Sequence, residues 1–178
     1  FEPGDGEYHG EDGPLNVADP VAPHPVSGQL VEAAAEVGHV RNDDFNGEQQ
    51  QGVGHYHLTQ KNGKRCSAAK AFITPILDRE NLAAETGAQV TQIRFEGDRA
   101  IGVTYEQDGR THQADAGAEV ILSAGSVNSP QLLMLSGIGP AEHLQDHGID
   151  VVADSPGVGR NLQDHLFAFV VHERTDGP

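Results

Sequence analysis

A chain of 178 residues, 37% hydrophobic and 21% charged, has room for one domain or two small ones around a modest core. Acids outnumber bases 27 to 11, and residues 1–60 carry eleven acids against the single base Arg41, a surface that repels phosphate backbones and anionic lipid. Nucleic acid and membrane partners are therefore not expected. With only three lysines among the bases, the composition fits a halophilic protein whose self-repulsion is screened by salt. Melting from dilute buffer to molar salt tests this, and equal stability throughout would count against it.

The single Cys66 cannot form an internal disulfide, so a cytoplasmic setting is expected, with the thiol serving as a small core residue. No apolar run approaches the ~20 residues of a membrane span. Phe1-Glu2-Pro3-Gly4 lacks the basic and apolar regions of a signal peptide, and a start without methionine suggests an excised or processed piece.

Residues 1–26, rich in Gly, Pro, Asp and His, read as an extended lead segment. SGQLVEAAAEVGH (27–39) predicts a short amphipathic helix with Ser27 as N-cap, Leu30, Val31, Ala34 and Val37 on one face, and Gly38 as its stop. Residues 42–63 are polar and glycine-rich, with one short strand over His55–Thr59. Helical spacing through Ala68, Ala69, Phe72 and Ile73 predicts a helix within 65–80, ended or kinked by Pro75.

Three strands follow, Gln89–Phe95, Ala100–Gln107 and Thr111–Ala116, separated by turns at Gly97 and Asp108-Gly109 and forming an antiparallel meander. Val120, Ile121 and Leu122 are consecutive apolar residues, as in a strand buried on both faces of a parallel sheet, so Glu119–Ser123 is assigned to a different sheet. Pro130 stands at the first position of a helix reaching Ser136 and closed by Gly137. A second helix spans Ala141–His147, a strand lies near Val151-Val152, and LFAFVVHE reads as a final strand.

The junction AGSVNSPQLLMLSGIGP (124–140) carries most of the chemical information. A glycine at the carboxyl end of a buried strand lets the backbone approach a ligand, and free N–H groups at a helix start favour an anionic group. That geometry suits a nucleotide, although on spacing alone a merely tight turn is the better explanation, since strand-Gly-helix junctions are common. His55 and His57 share one strand face, but no Cys or further close His completes a tetrahedral metal set, so solvent-facing histidines are expected. Ser123 and Ser126 flank Gly125 without forming G-x-S-x-G, which leaves a hydrolase little support.

Residues 125–139, GSVNSPQLLMLSGIG, resemble position for position the second signature of the glucose-methanol-choline (GMC) family of FAD-dependent oxidoreductases. The similarity extends to Tyr8-His9-Gly10, Asp12-Gly13-Pro14, Gly63-Lys64-Arg65-Cys66-Ser67-Ala68, Arg79-Glu80-Asn81-Leu82, Arg99–Val103 and Pro156–His165, and so to essentially the whole chain. Two family features are missing: the GxGxxG unit that grips the FAD pyrophosphate and the closing segment with the active-site His. Gly4, Gly6 and Gly10 have the wrong spacing and no preceding strand.

The resemblance implies a mixed α+β and α/β chain: part of an FAD/NAD(P)-binding α/β domain with an antiparallel meander, plus part of an antiparallel-sheet substrate domain. Residues 1–64 and 161–178 are assigned to the substrate part and 65–160 to the FAD-binding part. It further implies that Val90 lies against the FAD adenine and bonds it through its backbone, that Ala124 and Gly125 form the turn near the adenosine half, and that Asn161 supports the cofactor where the chain changes domain. Asp164 and His165 belong to the same element and are read as a structural pair, so no catalytic residue is assigned.

The implied activity of the complete protein is choline dehydrogenase-like oxidation of a small alcohol, with hydride passing to the flavin. The isolated chain is expected to be inactive. It is expected to self-associate or to need a companion chain, because the strand at Val120–Leu122 would otherwise leave an unpaired edge. Two alternatives are a non-catalytic truncated homologue or split subunit that binds nucleotide or a partner, and a salt-adapted interaction domain without ligand.

Overall fold

The computed structural model describes residues 7–171 and 173, which divide into two units at Ala84 and Glu85.

In the first unit, helix α1 covers Pro25–Glu36. Proline presets the backbone of the first turn, and His24, not Ser27, is the N-cap: its Nδ1 accepts from the Val26 N–H at 3.2 Å. Gly38, at φ 99°, ends the helix as expected. Leu30 and Val37 do not reach a core; both are exposed, and α1 packs through the narrower stripe of Val31, Ala34 and Ala35.

The strand expected over His55–Thr59 reduces to one bridge, in which Leu58 and Ala18 exchange N–H···O bonds of 2.8 and 2.9 Å. The regular ladder lies just beyond it, where β1 (Gln60–Lys61) pairs antiparallel with β2 (Lys64–Arg65). Asn62 and Gly63, at φ 51° and 68°, form the two-residue turn that suits a right-twisted hairpin. The helix expected within 65–80 is replaced by a π-helical turn at Ala69–Ile73 and a 3-10 turn at Thr74–Ile76. Pro75 has no N–H to donate and its ring crowds the carbonyl four residues back, so α-winding stops there.

What holds this unit is more polar than apolar. Buried Asn42 donates through Nδ2 to the Gln49 carbonyl at 2.5 Å and accepts through Oδ1 from the Asp44 N–H at 2.8 Å, folding residues 42–53 around one amide. The buried apolar residues here are small, Ala18, Cys66 and Ala71, with Cys66 in the packing role its sequence suggested.

The second unit contains the predicted meander, with β3 (Gln89–Glu96), β4 (Arg99–Gln107) and β5 (Arg110–Asp115) in the order β3-β4-β5. Gly97, Asp108 and Gly109 take the positive φ that the turns demand. The register slips between Val90 and Gln92, so the pair Val90-Thr91 forms a bulge on the edge strand.

Helix α2 spans Gly125–Leu135 and packs on β3. It begins five residues before the expected start, placing Pro130 inside the helix. Sixth in the helix, Pro130 has no N–H to offer the Ser126 carbonyl, so one intrahelical bond is forfeited there. Beyond Gly137, β6 (Ile138–Gly139) pairs in parallel with β7 (Ala153–Asp154) across α3 (Ala141–Asp146). The strand expected at Val151-Val152 therefore lies two residues further on. Leu144 of α3 is 1% exposed and forms the centre of this corner.

Two expected strands are absent among the described residues. Glu119–Ser123 joins no ladder, and Ile121 is 78% exposed. An apolar run of this kind needs a neighbour on each side, and the described part of the unit offers neither. The described part of LFAFVVHE, residues 166–171 and 173, is likewise without ladder pairing. No helix among the described residues is long and apolar enough to cross a membrane.

Candidate cofactor cleft

Helix α2 separates two clefts. On one side, Ala88, Gln89, Val90 and Thr91 of the β3 edge face Ala124, Asn128, Gln131, Leu132 and Leu135 across about 670 Å³. On the other, Ser126, Val127, Pro130 and Met134 face the loop Gly159–Gln163 across about 550 Å³. The structure thus brings Val90 and Ala124 to one cleft and places Asn161 at the other. Gly125 lies between Ala124 and Ser126, lining neither.

The first cleft has a definite chemistry. Val90, Leu132 and Leu135 give an apolar wall, while Gln89, Thr91, Asn128 and Gln131 supply amide and hydroxyl groups, a combination suited to a flat heteroaromatic ring with polar edges. The Val90 carbonyl accepts from Gln89 Nε2 at 3.3 Å in an exposed bond. At the entrance to α2, Gly125 takes φ 88°, and a Cβ there would meet nothing within 4 Å. Its backbone is bare on that side. The first turn of α2 has no side-chain cap, and the Ala124 N–H donates to Ser129 Oγ at 3.1 Å.

The two walls are tied together by Ser136. Its buried hydroxyl accepts from the outward-facing Ile93 N–H at 2.8 Å and donates to the Leu132 carbonyl at 2.6 Å, closing the β3 edge with the last turn of α2. The glycines of Ser136-Gly137-Ile138-Gly139 serve packing. A Cβ on Gly137 would stand 2.4 Å from the Asp150 carbonyl oxygen, and one on Gly139 2.9 Å from Met134 Cγ.

Sequence reasoning missed Asn128, Gln131, Leu132 and Leu135. A signal for them exists, since these positions follow the i, i+3, i+4, i+7 spacing of one helix face. Placing the helix start at Pro130 removed the first of them from the pattern.

A second cluster lies in the first unit. His9 Nε2 stands 2.6 Å from Asp44 Oδ2, and His57 lies between Asp44 Oδ1 at 3.8 Å and Asp19 Oδ1 at 3.3 Å. The His57 side chain is 3% exposed, so it does not face solvent as its polar surroundings suggested. Among the described residues no group of three or more His, Cys, Asp or Glu is arranged to hold a metal.

The hydrogen bond from His9 holds the Asp44 carboxyl below its ordinary range, aided by the Asn46 N–H and by the positive potential of His9 and His57, against an opposing contribution from burial. A depressed carboxylate contributes stability above its unfolded pKa, about 4, and loses it as pH falls through the folded value. The first unit should therefore melt at progressively lower temperature below about pH 4. Asp44→Asn should flatten that acid limb in thermal scans; an unchanged limb would remove Asp44 as its cause.

Against this geometry, comparison with known proteins places the chain. It belongs to the GMC oxidoreductase family, whose model matches residues 7–167. Among its relatives, human mitochondrial choline dehydrogenase is 49% identical over 169 residues, covering 95% of this chain and 28% of that protein. The alcohol dehydrogenase [acceptor] of Pseudomonas putida is 51% identical over 162 residues, covering 89% and 29%.

Among solved structures, an FAD-dependent oxidoreductase from Chaetomium thermophilum matches with a TM-score of 0.82 at 35% identity, covering 90% of this chain and 28% of that one. Pyridoxine 4-oxidase from Mesorbium loti matches with a TM-score of 0.79 at 34% identity, covering 88% and 31%. The chain therefore spans a little under a third of the length of these relatives. The mixed α/β architecture with its antiparallel meander agrees with the expected fold class, and FAD is the family's cofactor. The apolar and amide lining of the cleft beside Val90 has the chemistry to take a flat ring with polar edges, such as FAD carries.

Proposed function

We propose that this chain supplies the adenosine-side wall of the FAD site in a flavin-dependent alcohol oxidoreductase. The observation that carries the reading is the meeting of Val90, on the bulged β3 edge, and Ala124, at the head of α2, in one cleft with mixed apolar and amide walls. Val90 would offer its backbone to the adenine edge, with Leu132 and Leu135 packing against the ring. Gly125 would admit the ribose side to its exposed main chain, and Asn161 would act as a support across α2. When bound, FAD supplies the hydride acceptor for oxidation of an alcohol carbon.

On this reading residues 65–160 belong to the FAD-binding part and 1–64 and 161–178 to the substrate part. The substrate of the whole protein is a small alcohol, as the names of its choline and alcohol dehydrogenase relatives suggest. The proton-accepting His implied by the family resemblance is assigned to no residue of this chain, which is expected to be inactive alone.

The test is titration of the purified chain with FAD and with ADP, followed by amide chemical shifts. Saturable shifts centred on Val90, Ala124 and Gly125 with both ligands are expected. Binding that leaves these amides unmoved, or no binding of either ligand, would overturn the assignment.

A second reading, a split subunit that binds a companion chain without catalysis, is favoured by the unpaired apolar run at Glu119–Ser123. A companion chain that binds this one and covers that run, in a complex that oxidises no alcohol, would support it.

A further inference from the structure

We propose that His143 and His147 form a two-imidazole chelate for a borderline divalent transition ion, with Cu2+ held most tightly and water completing its shell. The proposal does not depend on the cofactor cleft, and its two ligands stand on one helix and its capping turn, so their spacing is set locally. His143 lies in the last turn of α3 and His147 is its C-cap four residues on, which puts both side chains on one face. Their ring centroids are 4.6 Å apart, with the planes tilted by 47°.

That separation is what a shared ion requires. With metal–nitrogen bonds of about 2.0–2.1 Å, two imidazoles on one ion, at angles from square to tetrahedral, place their ring centroids roughly 4.5 to 5.2 Å apart. The observed spacing falls at the square end, which suits Cu2+ or Ni2+ better than Zn2+, and Cu2+ binds nitrogen donors most strongly of the series. The tautomer is set as well. His147 Nδ1 lies 3.1 Å from the His143 carbonyl, and a carbonyl only accepts, so Nδ1 carries the proton and the Nε2 lone pair is left for a metal.

The platform beneath the pair is fixed. Leu144 is 1% exposed, its N–H donates to the Pro140 carbonyl at 3.0 Å, and its carbonyl accepts from the Ile149 N–H at 2.9 Å. Both rings border a cavity of about 250 Å³ that Gln131 and Met134 of α2 also line, enough for an ion and several waters. A net charge of −16 raises the concentration of cations around the chain.

The test is titration of the purified chain with CuCl2, followed by paramagnetic broadening of amide signals and by calorimetry. One ion per chain is expected, broadening residues 141–149 first, with Ni2+ weaker and Mg2+ unable to compete. Because protons compete for the same lone pairs, affinity should fall in acid. His143→Gln and His147→Gln should each raise the dissociation constant at least about tenfold, roughly 1.4 kcal/mol, and combining them should add little. Pairing His147→Gln with Gln145→His keeps the histidine count but turns the second imidazole off the shared face, and should not restore binding.

Both histidines are exposed, so the variants should keep the circular dichroism of the parent. An affinity indifferent to either single change, or broadening centred on other histidines while α3 is untouched, would overturn the proposal. So would binding only at roughly millimolar metal, or full recovery with the relocated imidazole.

Discussion

Gly54→Ala is expected to unfold the loop network of the first unit. A Cβ at this position would lie 1.9 Å from the carbonyl oxygen of Asn42, with the ring of Phe45 a further 3.4 Å neighbour. The obstacle is backbone, and it belongs to the residue whose side chain organises the segment through its bonds to Gln49 and Asp44. Relief requires the 40–44 strand of chain to move away from 52–54, breaking the Asn42 N–H to Val53 carbonyl bond of 3.0 Å and the Val53 N–H to Val40 carbonyl bond of 2.9 Å. Losing two buried-side hydrogen bonds and the Asn42 network should cost about 3 kcal/mol or more. Hydrogen exchange should show early opening of residues 40–58 while β3–β5 keep their protection; equal protection in the two proteins would refute the close approach.

Leu144→Ala should destabilise the second unit by about 3 kcal/mol. Leu144 is the side chain around which α3, β6 and the end of α2 turn, and its amide and carbonyl are also engaged, with Pro140 and Ile149 at 3.0 and 2.9 Å. The surrounding backbone is closely approached, since a Cβ on Gly137 would stand 2.4 Å from the Asp150 carbonyl oxygen and one on Gly139 2.9 Å from Met134 Cγ, so the void should not close easily. Urea melts followed by a probe in α3 should shift accordingly. A shift under about 1 kcal/mol would mean that the corner collapses to fill the gap.

The meander was legible in the sequence because alternation and turn chemistry agreed: Gly97 and Asp108-Gly109 fixed both reversals, and the strands between them were long enough to show their period. The hairpin at Asn62-Gly63 carried a turn signal as strong, but its strands are two residues long and show no period at all. Val120–Leu122 failed for the opposite reason. Its apolar character was correctly read, yet a strand is a pairing, and pairing depends on what lies beside it.

The burial of His57 was equally out of reach, since Asp19 and Asp44, which flank it, are distant along the chain. At the cleft, Val90 and Ala124 came from family resemblance. Spacing alone indicated only a glycine beside a helix start.

Ser136 gives the cleft a property that its lining does not explain. One hydroxyl is held in common by sheet and helix, accepting from the Ile93 N–H of the strand and donating to the Leu132 carbonyl. Leu132 and the β3 edge are thereby gauged to one another from behind, and the gap into which a flat ring would slide keeps its width through an atom that the ring never meets.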